Sequence, residues 1–122
     1  MKLTRERRMR QWGEFHAVRT NGRSAGGRFL VLGAWTDPSI PDRRFGFITS
    51  KKASKKAVTR NLLRRRFREI VRKHGDTLLP HQMVVTIARW RAVEATFAEL
   101  EADWLKTARK LKISQQSPPG AP

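Results

Sequence analysis

Eleven basic residues and one acidic residue stand between positions 51 and 74, and the chemistry that pattern suits is contact with a polyanion. At about 100° per residue, Asn61, Arg64, Arg65, Arg68 and Arg72 share one arc of a helix about 100° wide. Leu63, Phe67, Ile70 and Val71 occupy a neighbouring arc. The segment therefore reads as an amphipathic helix whose polar side is a row of guanidinium groups. Arginine suits that task because its planar fork donates bidentately to phosphate and can stack on bases. Lys51, Lys52, Lys55 and Lys56 extend the row to the N-terminal end, where unpaired backbone N–H groups also favour an anion. A charged helical run is ordinarily a solvated face. Here neighbouring cations repel one another at a cost in stability, which argues for a binding face. An import-type basic cluster needs no buried apolar arc.

Catalytic constellations are sparse. His16, His74 and His81 are far apart in the chain, and none has a metal-ligand partner three or four residues away. Glu99 and Asp103 lie one helical turn apart, a spacing open to a metal pair; the expected reading is a solvated face opposite an apolar stripe. Gly26-Gly27 lacks the Lys-Ser/Thr that completes a phosphate loop and reads as a turn. No catalytic side chain, metal site or protein-borne cofactor is expected.

The whole chain has 122 residues, 39% of them hydrophobic, enough for one small domain with a core. Its net charge is +17, which makes nucleic acid the leading partner and an anionic membrane surface the second. Residues 51–74 contribute +10 of that charge, so the excess marks a site rather than a scattered soluble surface. The absence of cysteine suits a reducing cytoplasm. The basic start "MKLTRERRMRQW" is followed by no apolar signal-peptide region, and "FLVLGAW" and "MVVTIA" are too short to span a bilayer. A soluble cytoplasmic protein without membrane or protein partners is expected.

The elements that must position the basic helix follow from periodicity and punctuation. Residues 8–19 predict a short helix carrying Trp12 and Phe15, weakened by Gly13. "RFLVLGAW" (28–35) and "RFGFITS" (44–50) predict strands, the second with Phe45, Phe47 and Thr49 on one face and Gly46 and Ile48 on the other. The basic helix is expected over 55–74, with Ser54 as N-cap and Gly75 as its stop. A strand over 82–89 and a helix over 92–112 follow, the helix striped by Val93, Phe97, Leu100, Trp104, Ala108 and Leu111. The order is α-β-β-α-β-α, with room for one extra short strand near 22–25, in an α+β single-layer sandwich. The domain is expected over 1–113, with 114–122 a disordered proline-rich tail.

The stretch "GFITSKKASKKAVTRNLLRRRFRE" (46–69) resembles the signature of the bacterial ribonuclease P protein component. In that family a strand ends in a Lys-Lys pair and a helix follows with Arg-Asn-Arg, then Arg and Arg-Glu. Arg60, Asn61, Arg64, Arg65, Arg68 and Glu69 stand where that motif expects them. Leu62 departs from it, since the residue after Asn61 is normally basic. The resemblance covers about residues 3–112 and includes "EFHAVRTNGR", in which Arg19 replaces a second expected phenylalanine.

The resemblance implies an α-β sandwich in which a left-handed crossover joins the sheet to the central helix. It implies a protein that assists a catalytic RNA in removing the 5′ leader from precursor tRNA, with hydrolysis performed by the RNA and its Mg²⁺. It further implies that the basic helix contacts the catalytic RNA and that a cleft between the first helix and the sheet receives the single-stranded leader. Phe15 is carried over to that cleft, with Trp12 and Arg19 beside it; the alternative for Phe15 is core packing. The competing expectations are a ribosomal-protein-like or general RNA-binding module, or a membrane-surface helix.

Overall fold

The computed structural model describes residues 1–115. Helix α1 (Trp12–Asn21) leads into strands β1 (Arg23–Gly26), β2 (Leu30–Thr36) and β3 (Arg43–Ile48). Helix α2 (Ala57–His74), strand β4 (Gln82–Ala88) and helix α3 (Phe97–Leu111) complete the chain. The extra strand near 22–25 is β1. The four strands form one sheet in the order β1-β2-β4-β3. β1 with β2 and β2 with β4 are antiparallel, whereas β3 and β4 are parallel and joined by the crossover through α2.

The pleat assigns alternate residues to two cores. Leu30, Leu32 and Ala34 of β2, Phe45 of β3 and Val84 and Ala88 of β4 pack against α2 and α3. The opposite face carries Val85, with Trp35, Ile48, Met83 and Ile87, and meets Val18 and Phe15 of α1. Helices therefore cover both faces, α2 and α3 one and α1 the other. Two buried side chains of the larger core donate to partners there: the Trp104 indole to Thr86 Oγ1 at 3.1 Å, and the Gln82 amide nitrogen to the carbonyls of Leu79 and Ile113, while Gln82 Oε1 is left without a partner among the described residues.

Several sequence boundaries move, and four of the shifts have a local reason. Residues 8–11 leave the first helix, and Arg8 and Met9 line the edge of β3, where the Met9 N–H donates to Phe45 O at 2.8 Å. Ser54 does not cap α2; Lys56 holds that position, and Ser54 Oγ accepts from the Lys56 N–H. The last helix starts at Phe97 rather than 92, because Thr96 and Glu99 form a reciprocal capping box. Val93 consequently falls on a preceding 3-10 turn (Trp90–Glu94) and is exposed instead of joining the apolar stripe. Ser114 and Gln115, assigned to the tail by sequence, are hydrogen-bonded in the fold: Ser114 pairs with Leu78, and the Gln115 N–H donates to Thr77 O. The rest of the expected tail, 116–122, lies outside the described residues.

Candidate RNA interface

α2 forms because its apolar arc can be buried. Leu63, Phe67, Ile70 and Val71 are all buried against the sheet and α3, as the periodicity requires. Gly75 ends the helix in right-handed geometry, its N–H bonded to Val71 O. With the apolar arc fixed inward, Asn61, Arg65, Arg68 and Arg72 are exposed. They form the row expected from the sequence, although Arg72 also pairs with Glu69 at 3.0 Å.

Two further members of the set are engaged within the protein. Arg60 donates to the carbonyls of Ser54 and Lys55 at 3.0 and 2.9 Å, closing the loop onto the first turn of α2. Arg64 is half-buried and donates to Thr49 Oγ1 at 3.0 Å, tying the row to the end of β3. Lys51, Lys52, Lys55 and Lys56 are exposed on the loop these arginines brace. Partial desolvation, then the guanidinium groups of Arg64, Arg8 and Arg72, hold Arg68 below the ordinary arginine value. That crowding of like charge is a state that phosphate would relieve. Arg8, sixty positions away in the chain, acts on Arg68 electrostatically, an effect that no sequence pattern could have found.

On the other face of the sheet lies an open cleft of about 750 Å³. Its origin is a mismatch in length. The ten residues of α1 rise about 15 Å, whereas a seven-residue strand runs about 23 Å, so α1 cannot cover β2 and β4. Val31, Ile48, Val85 and Ile87 supply an apolar floor, and Trp12, Phe15 and Arg19 all line the cleft. Phe15 is half-buried and packs over Gly46; Trp12 is 76% exposed and stacks on His16, with ring centroids 4.7 Å apart. Phe15 both packs in the smaller core and borders the cleft. Lys52 lines the cleft too and connects it to the basic loop. His16 and Arg23 are cleft residues that the sequence reading missed.

Asp103 departs from expectation. It is buried, not solvated, and its carboxylate accepts from the N–H groups of Arg28 at 3.0 Å and Phe29 at 2.8 Å. Gly27 is required there because a Cβ would overlap that carboxylate. Glu99 serves the helix cap. Among the described residues no group of three acidic, histidine or cysteine side chains could hold a metal ion, and no helix is long and apolar enough to cross a membrane. The sequence reading also missed an exposed cluster at the end of β4, where the Arg91 guanidinium lies 5.0 Å from the centre of the Trp90 ring, near Arg28 and Arg89.

Comparison with known proteins gives a consistent result. The family model described as Ribonuclease P matches residues 3–112. The ribonuclease P protein component of Syntrophomonas wolfei is 32% identical over 108 residues, 88% of this chain and 89% of its own. That of Bacillus pumilus is 30% identical over 116 residues, covering 95% and 97% of the two chains. The solved Staphylococcus aureus RNase P protein superposes with a TM-score of 0.81 at 25% identity, covering 88% of this chain and 97% of that one.

Proposed function

The chain belongs to the ribonuclease P protein family, and from its surfaces we propose how it serves as the protein component of that tRNA-processing ribonucleoprotein. The exposed row of α2 and the lysine loop bind the catalytic RNA. The cleft beside α1 takes the single-stranded 5′ leader of precursor tRNA. The RNA carries out hydrolysis with its Mg²⁺, and the protein contributes no general acid or base. The compartment is the cytoplasm, and the domain that does this work includes Ser114 and Gln115, which are hydrogen-bonded into the fold.

One observation carries this reading: Lys52 belongs both to the basic loop that begins the α2 surface and to the aromatic-bordered cleft. A single domain thereby offers two RNA strands a continuous path. Cationic side chains on α2 replace the counterions of the catalytic RNA, so assembly gains affinity from their release. The cleft suits single-stranded RNA because aromatic and aliphatic surfaces stack bases without reading their edges.

Reconstitution tests this directly. Catalytic RNA from a bacterial ribonuclease P, with and without this protein, is assayed for leader removal from precursor tRNA at low Mg²⁺. Cleavage that depends on the protein is the expected result. Tight, salt-sensitive RNA binding without stimulated cleavage would instead mark a general RNA-binding module.

A further inference from the structure

Val58 and Leu62 stand one turn apart on α2, and both face solvent, at 82% and 39% exposure. Neither belongs to the arc that packs inward. They flank the guanidinium row on the side of Asn61 and Arg65. Arg66, one turn beyond Leu62, donates to Ala95 O at 3.1 Å, so this flank of α2 adjoins the 3-10 turn that exposes Trp90 and Val93. Single exposed aliphatic residues need no explanation. Two in register, bordering a row of arginines, form an edge that is apolar within a cationic surface.

The surrounding charge limits what can cover that edge. A second copy of the chain would bring another +17 against it. The row beside it is already assigned to RNA, and whatever covers Val58 and Leu62 must be contiguous with that RNA. A phosphate gains nothing from a valine or leucine side chain, whereas the flat face of an unstacked base does.

We propose that Val58 and Leu62 receive an unstacked nucleobase of the catalytic RNA. This rests on the reading of α2 as the surface that binds that RNA. Position 62, where the family pattern carries a cation, thereby exchanges a phosphate contact for a base contact. The α2 interface becomes part electrostatic and part apolar.

The test uses the full chain and a bacterial ribonuclease P RNA, with affinity measured across a salt series. Val58→Ser and Leu62→Ser should each bind about five- to tenfold more weakly at every salt concentration, with the salt slope unchanged, as expected for removing a partly buried aliphatic side chain from an interface. Base-specific chemical probing should show a base protected by the parent protein and released in both variants, while ribose protection around it persists. Val58 is too exposed to matter to folding, so it keeps the test valid should Leu62→Ser melt early. Arg65→Ala is the control for the underlying reading. If neither it nor Arg68→Ala alters affinity or salt slope, the assignment of α2 to the catalytic RNA fails, and the nucleobase site with it. If Arg65→Ala weakens binding but both serine variants bind like the parent, or lose affinity only by a changed salt slope, the nucleobase site alone is overturned.

Discussion

The Phe15 ring lies against Gly46 so closely that a Cβ at position 46 would sit 2.5 Å from its Cε1 atom. The strand thus gives up a side chain so that the helix can lay an aromatic ring across it. That packing fixes the border of the cleft with a ring already held in place, so stacking on it carries little cost in side-chain entropy.

Phe15→Ala should remove a base-stacking surface worth about 1–3 kcal/mol, and only for substrates that have a leader. Binding of precursor and mature tRNA to the reconstituted complex is the measurement. The affinity gap between them should narrow, with a melting curve confirming the fold. Gly46→Ala, which pushes the ring from its seat, should narrow the gap in the same direction. A folded Phe15→Ala protein with full precursor preference would place the leader elsewhere.

Arg65→Ala and Arg68→Ala should each weaken binding to the catalytic RNA and reduce the slope of log affinity against log salt by about one or less for each phosphate no longer neutralised. Once excess protein saturates assembly, the preference for precursor over mature tRNA should be unchanged in Arg65→Ala, which separates this surface from the cleft. Unchanged slopes in both variants would take the row out of the interface.

Phe67 is fully buried in the main core on the inward arc of the same helix. Phe67→Ala should destabilise the fold by about 3–5 kcal/mol, read from denaturant midpoints. RNA affinity should fall only in proportion to folded protein. A stable variant with impaired binding would mean that the two faces of α2 are reversed.

The Glu101 carboxylate is held below the usual carboxylate range, first by its hydrogen bond to Lys73 and then by that to His74. A carboxylate with a lowered folded-state pKa stabilises the protein above its unfolded value and loses that contribution as pH falls through the folded value. Glu101→Gln should therefore lower stability at neutral pH and leave it near the parent's in acid. The pairs are partly exposed, so the difference should be about 1 kcal/mol or less. Urea midpoints at pH 7 and pH 3 check it; an equal deficit at both would mean that packing, not charge, sustains the pair.

Much of this protein was determined by local pattern. Leu63, Phe67, Ile70 and Val71 had to face inward together because a helix brings residues of that spacing onto one side, and this alone turned Asn61, Arg65, Arg68 and Arg72 outward. Alternation along 44–50 likewise separated Phe45 and Phe47 from Gly46 and Ile48. What the tertiary structure decided rests on contacts between distant segments. Arg60 and Arg64 carry the same side chain as Arg65, but whether each is tied down depends on which carbonyl or hydroxyl the fold brings within reach. Asp103 looked solvated because its own helix said nothing of the two N–H groups of the β1–β2 turn that it meets. The cleft arises because a short helix crosses longer strands, and only packing α1 across β2 and β4 could place Lys52, Phe15 and Ile87 around one opening.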